Sequence, residues 1–189
     1  YHMILSDREL SVLLVGADKP LVYPLASNGL QPASVDIRLG KTFLKPISVN
    51  DEVNQFDKKV KYVEFSGEVA IHPHEFFLAT TIETVTLPDN LTAFVEGRSS
   101  IGRMGLFIQN AGWVDPGFCG KITLELFNAS EVPILLKEGT RVGQLVFCKM
   151  STPCRFPYRG KYQYQSDTTG SRINFDPEVY KGGNSSEAD

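Results

Sequence analysis

Lys121-Ile122-Thr123-Leu124-Glu125-Leu126-Phe127-Asn128 is the stretch on which the reading of this chain turns. Successive side chains of an extended strand point to opposite faces, so Ile122, Leu124 and Leu126 share one side. Thr123, Glu125 and Phe127 share the other. A strand that is apolar on one face and mixed on the other belongs to a sheet laid over a core. A glutamate on a strand is ordinarily an exposed charge. Flanked by a threonine and a phenylalanine, Glu125 also stands where a desolvated carboxylate with a raised pKa can be made.

Outward from this stretch the pattern repeats. Phe76 to Leu87 is rich in Thr, Val, Ile and Phe and ends at the turn Pro88-Asp89-Asn90. Leu91 to Glu96, Val132 to Leu136 and Arg141 to Lys149 read as further strands, the last two joined through Glu138-Gly139. Many short strands at this spacing predict a mainly β protein, a sandwich or distorted barrel with jelly-roll character. One helix precedes them. Ser6-Asp7-Arg8-Glu9 has the form of a capping box, Leu10, Leu13 and Leu14 follow at helical spacing, and Gly16 offers a stop.

With 189 residues, 42% of them hydrophobic and 22% charged, the chain suits one core and one domain. Tyr1-His2 reads as a cloning remnant ahead of a native Met3. The domain is expected over 3–176, with a closing segment from about residue 158 and a flexible tail at 177–189, polar and Gly-rich from Gly182. A net charge of -3 gives no basic field for nucleic acid. No apolar run approaches the roughly 20 residues of a membrane span. Cys119, Cys148 and Cys154 form neither a disulfide framework nor a local zinc pair, and read as reduced cysteines of a cytoplasmic protein. His72-Pro73-His74-Glu75 is the one tempting ligand cluster, and it lacks a nearby cysteine.

Two further segments concentrate polar chemistry. Glu96-Gly97-Arg98-Ser99-Ser100-Ile101-Gly102-Arg103 leaves a strand at a glycine and sets two hydroxyls between two arginines. Guanidinium forks, hydroxyls and backbone N–H groups at a helix start suit phosphate oxygens; a solvated turn has the same composition. In Asn110-Ala111-Gly112-Trp113-Val114-Asp115-Pro116-Gly117-Phe118, an Asp before Pro-Gly is a common turn former. The sole tryptophan beside it reads as a core plug or as a lid on a ligand.

In their order, these segments resemble the dCTP deaminase family, from Met3-Ile4-Leu5-Ser6-Asp7 to about Asn174. Gln31-Pro32-Ala33-Ser34-Val35-Asp36-Ile37-Arg38-Leu39-Gly40 is similar to the opening motif that this family shares with trimeric dUTPases. Arg98 to Arg103 is similar to the shared phosphate motif, and Ala111 to Asp115 to the hairpin of the pyrimidine and sugar site. Gly143-Gln144-Leu145-Val146-Phe147 and Gly160-Lys161-Tyr162-Gln163-Tyr164-Gln165 match the later motifs. The Leu106 to Ala111 stretch is one residue shorter than the usual form.

The resemblance implies a dUTPase-like homotrimer with active sites between subunits, a magnesium ion carried by the triphosphate, and no zinc. It implies Glu125 as the proton relay, with Ser99 and Arg103 positioning water and Asp115 at the 3′-hydroxyl. Arg98, Ser100, Ile101 and Gly102 complete the phosphate loop, and Thr123 with Leu124 reads the base. Gln144, Tyr158, Lys161 and Gln165 are implied triphosphate contacts. Gly112-Trp113, where monofunctional deaminases tend to carry His-Arg, implies the bifunctional type that takes dCTP to dUMP, Asp115 activating the second water. The alternatives are a deaminase that releases dUTP, a plain dUTPase, in which the position of Glu125 is normally aliphatic, and a silent nucleotide-binding regulator. dCTP and dUTP are the expected ligands, with dTTP a possible inhibitor.

Overall fold

A computed structural model describes residues 3–15, 18–47, 60–109 and 112–177. The expected helix stop Gly16, the residues Asn110-Ala111, Tyr1-His2 and the tail from 178 lie outside them.

In chain order the elements are β1 (Met3–Ile4), α1 (Asp7–Val15), β2 (Val22–Tyr23), β3 (Leu30–Gln31), β4 (Ser34–Ile47), β5 (Lys61–Ser66) and β6 (Glu68–Ile71). After them come β7 (Phe76–Thr86), β8 (Leu91–Gly97), α2 (Ser99–Gly102), β9 (Leu106–Gln109) and β10 (Trp113–Val114). β11 (Cys119–Asn128), β12 (Ile134–Lys137), β13 (Arg141–Lys149) and a 3-10 turn at Ile173–Phe175 complete the series. The mainly β reading therefore holds.

The capping box forms in part: the Glu9 carboxylate accepts from the Ser6 backbone N–H at 3.0 Å and also from the Ser6 hydroxyl at 3.2 Å. Leu10 and Leu14 seat α1 on the core.

The strands run β10–β8–β13–β4–β7–β11–β9, all antiparallel, and β12 pairs with β6 in a separate ribbon. β4 is the axis of the curl. Its first half, Val35 to Arg38, pairs with β13, and its second half, Leu39 to Leu44, pairs with β7. The register shifts between Leu39 and Phe43 where the sheet turns over. Val35, Ile37, Leu39 and Phe43 from β4, with Leu145 from β13 and Leu126 from β11, are fully buried beneath it. Burying such side chains is worth about 1.5–3 kcal/mol each, so a polar substitution at any of them would be costly.

Candidate functional site

β11 alternates as expected. Ile122, Leu124 and Leu126 are buried, and Thr123, Glu125 and Phe127 are half-exposed on the opposite face. A bulge between Lys121 and Thr123 interrupts its pairing with β7. The Ile122 N–H, which faces Thr81 at the bulge, donates to the Thr81 hydroxyl at 3.0 Å, and that hydroxyl donates to the Glu83 carbonyl at 2.7 Å. The bulge is thus sealed, and beyond it the Thr123–Glu125 face looks into a cleft of about 640 Å³.

Glu125 lies across from Leu78 on β7 and Gln109 on β9. Burial raises its carboxyl above the ordinary glutamate value of 4.5. Among the described residues no side chain donates to it. Such a carboxylate holds its proton longer than usual and suits proton transfer.

The second wall is β10, which pairs with β8. Trp113 is neither the core plug nor simply a lid: it is 58% exposed, and its indole N–H donates to Asp115 Oδ1 at 2.9 Å. Its ring stands edge-on to Phe94, centroids 4.8 Å apart. The Val95 N–H donates to the Gly112 carbonyl at 2.7 Å, and a Cβ on Gly112 would come 2.9 Å from the Val95 carbonyl oxygen. Close approach of this segment to β8 is therefore a sufficient reason for glycine here, independent of any room left for water. Asp115 opens the Pro116-Gly117 turn, its carbonyl accepting from the Phe118 N–H, so the turn-former reading holds as well. Gly117 has φ of +86°, and a side chain there would run into Pro157 and Tyr158.

The third wall is the closing segment. The Tyr158 N–H donates to the Pro116 carbonyl, and the Tyr158 and Phe118 rings lie 5.9 Å apart. Gln165 clasps Lys121: its backbone carbonyl accepts from the Lys121 N–H at 2.8 Å and its side-chain amide donates to the Lys121 carbonyl at 2.6 Å. Gln165 Oε1 is buried with no partner among the described residues. The Thr169 N–H donates to the Thr123 hydroxyl oxygen at 3.1 Å, and the Ser171 N–H to the Tyr62 hydroxyl at 2.9 Å. Trp113, Asp115, Thr123, Glu125, Tyr158 and Gln165, named from the sequence, thus line one cleft.

The remaining expected residues are elsewhere. Arg98 precedes the single turn α2, on which Ser99, Ser100 and Gly102 are exposed while Ile101 leans on the core. Arg103 closes that turn and is exposed. None of residues 98–103 lines the cleft, nor does Gln144. Of these, Arg98 and Gln144 belong to a polar edge around Asp36, which is only 2% exposed. Asp36 Oδ2 accepts from Arg141 Nη1 at 2.9 Å, and Asp36 Oδ1 is 3.7 Å from Arg98 Nε. The Ser34 hydroxyl donates to Gln144 Oε1 at 3.1 Å. Lys161 is engaged with Asp176 at 2.5 Å. Asp36, Arg141, Thr169 and Tyr62 were not singled out from sequence. For Asp36 a signal existed: it alternates with Val35, Ile37 and Leu39, the pattern that exposed Glu125.

At the other candidate cluster, Glu75 is taken by Lys45 at 2.5 Å, which holds its carboxyl below the ordinary value, and the His74 ring lies 4.0 Å from the Glu131 carboxylate. Among the described residues no three His, Cys, Asp or Glu side chains gather as a metal site, and no helix is long and apolar enough to cross a membrane.

Residues 4–150 match the dCTP deaminase-like family. The chain is 50% identical over 181 residues to the dCTP deaminase, dUMP-forming, of Persephonella marina, covering 93% of this chain and 100% of that one. It is 47% identical over 179 residues to the dCTP deaminase, dUMP-forming, of Aquifex aeolicus, covering 94% and 98%. Its fold resembles that of the 2′-deoxycytidine 5′-triphosphate deaminase from Agrobacterium tumefaciens, with a TM-score of 0.62 at 23% identity over 78% of this chain and 48% of the other. With a family match from Ile4 to Met150 and relatives aligned along nearly their full length, the chain belongs to the dCTP deaminase-like family.

Proposed function

We propose that the chain hydrolyses dCTP twice at one site, first at C4 of cytosine and then at the α-phosphate, giving dUMP, ammonia and pyrophosphate. The observation that carries this reading is the presence of two carboxylates, Glu125 and Asp115, on two walls of one cleft. Relatives named dCTP deaminase, dUMP-forming, support it along nearly the whole chain.

In the first step water adds to C4. Glu125 takes a proton from that water and passes one to N3, and the C4–N bond breaks with ammonia leaving. Water in and ammonia out turn dCTP into dUTP. In the second step water attacks the α-phosphorus, Asp115 accepts its proton, and the bond to the bridging oxygen breaks to release pyrophosphate. Thr123 and the neighbouring backbone at Leu124 read the base edge, and Asp115 meets the deoxyribose 3′-hydroxyl.

Arg98, Ser99, Ser100, Ile101, Gly102, Arg103 and Gln144 form the phosphate-facing edge, with Tyr158, Lys161 and Gln165 from the closing segment. Ser99 and Arg103 position the water at the base. Since none of residues 98–103 borders the cleft of its own chain, we assign them to the cleft of a neighbouring copy in a homotrimer. The donor set of that edge, guanidinium, hydroxyl and amide, fits phosphate oxygens. Magnesium would therefore be held chiefly by the nucleotide's own phosphates, where it would neutralise charge gathering on the leaving pyrophosphate. We place the enzyme in the cytoplasm.

Chromatography of an early dCTP time course tests the proposal. dUMP should appear in step with ammonia, with little free dUTP, and added dUTP should be hydrolysed too. dUTP accumulating in step with ammonia would leave a deaminase alone.

A further inference from the structure

Resting on the two-step reading, we propose that Trp113 is the positioning residue of the second hydrolysis, its indole N–H fixing the Asp115 carboxylate for proton acceptance.

Asp115 is exposed, follows β10 by one residue and enters a turn, so its backbone alone leaves the carboxylate free to rotate about its last torsion. Among the described residues the indole of Trp113 is the one side chain that donates to it, at 2.9 Å. Glu125, in contrast, is set by a ten-residue strand paired on both sides. The proton acceptor of the first step thus gets its orientation from the sheet, and that of the second gets it from one neighbouring ring.

That ring is itself held. Gly112 lets β10 lie against Val95, where a Cβ would meet the carbonyl at 2.9 Å, and Phe94 meets the indole edge-on at an interplanar angle of 84°. Trp113 and Asp115 also separate the cleft from a second groove of about 700 Å³, floored by Phe94, Cys148 and Phe156. An indole without its partner could swing toward either space. Paired with Asp115, it stays in the wall between them. Gly112 and Trp113 therefore act together: the glycine sets how close β10 lies to β8, and the tryptophan turns that closeness into a fixed carboxylate.

Trp113 is the only tryptophan of the chain, which allows a clean test. Feeding β-3-benzothienylalanine to a tryptophan auxotroph replaces this residue alone and exchanges the N–H for sulfur with little change of shape. From dCTP, the dUMP formed per ammonia released should fall by about tenfold, the size of one hydrogen bond to a charged group, with dUTP appearing in its place. Trp113→Phe, which keeps an aromatic edge for Phe94, should shift the ratio the same way. A ratio unchanged in a folded variant, while the unmodified enzyme makes dUMP, overturns the positioning role and leaves the two-step reading standing. An unmodified enzyme that releases only dUTP removes both.

Discussion

The Asp36 carboxylate meets the Arg141 guanidinium at 2.9 Å across the β4–β13 pairing, on the buried side of the edge that carries Arg98. A carboxylate this enclosed is stabilised chiefly by the cations it holds, and they in turn are held in place for an anionic ligand.

Asp36→Asn should loosen both arginines at once. Because the guanidiniums keep contact with water, the loss of stability should be about 1.5–3 kcal/mol, the range for hydrogen bonds to charged groups, and not the larger cost of stranding a fully buried ion. The KM for dCTP should rise about tenfold or more from disordered phosphate contacts, while the chemical step at saturating nucleotide changes less. Steady-state kinetics beside a thermal melt separate the two effects. An unaltered KM in a protein destabilised as expected would make Asp36 a fold element only.

Glu125→Gln should bind dCTP and lose deamination by about 10²–10⁴, the range of general acid–base catalysis. Burial raises the Glu125 pKa, so the folded chain holds this proton to a higher pH than the unfolded chain, whose glutamate titrates near 4.5. Its contribution to stability is therefore full below 4.5 and is lost as pH rises through the raised value. The melting temperature of Glu125→Gln should match wild type at the acid end and gain on it toward neutrality. A constant difference from about pH 4 to pH 8 would contradict a desolvated carboxylate.

How far the sequence discloses this site follows from the range of each signal. The alternation of Ile122, Leu124 and Leu126 against Thr123, Glu125 and Phe127 is local, so both the strand and the face of Glu125 could be read directly. The long strand β4 was harder to see. Lys41 breaks the apolar rhythm that Val35, Ile37 and Leu39 begin, a register shift after Leu39 resets its phase, and only the family motif from Gln31 to Gly40 marks its place in the sequence. Asp36 and Arg98 are far apart along the chain and meet only through strand order, which no periodicity reports. The closing segment from Tyr158 to Arg172 has no strand or helix to announce it. Its course is set by individual bonds such as Thr169 to Thr123 and Gln165 to Lys121. Trp113 illustrates the limit of residue-type reasoning. Plug and lid were the two roles its size suggested, and its N–H found a carboxylate two residues on.

If magnesium enters on the triphosphate, removing it with EDTA should stop pyrophosphate release and weaken dCTP binding, and added magnesium should restore both. A zinc-selective chelator should leave turnover unchanged. Stoichiometric zinc in active protein by elemental analysis would show that a metal of another kind takes part.

The assignment of residues 98–103 to a neighbour's cleft can be tested by complementation. Light scattering should first give about three times the 21.0 kDa of one chain. Glu125→Gln and Arg103→Ala should each be nearly inactive alone, since each destroys one half of every site. When the two are co-expressed in equal amounts, a site works if the subunit giving the cleft has its glutamate and the subunit giving the loop has its arginine. Random assembly meets each condition half the time, so about one quarter of wild-type activity should return in mixed trimers. If instead Glu125 and Arg103 serve the same site from one chain, every chain carries a lesion in its own site, and no mixing restores activity. A mixture that stays inactive while mass measurement shows mixed trimers would return the phosphate loop to its own subunit.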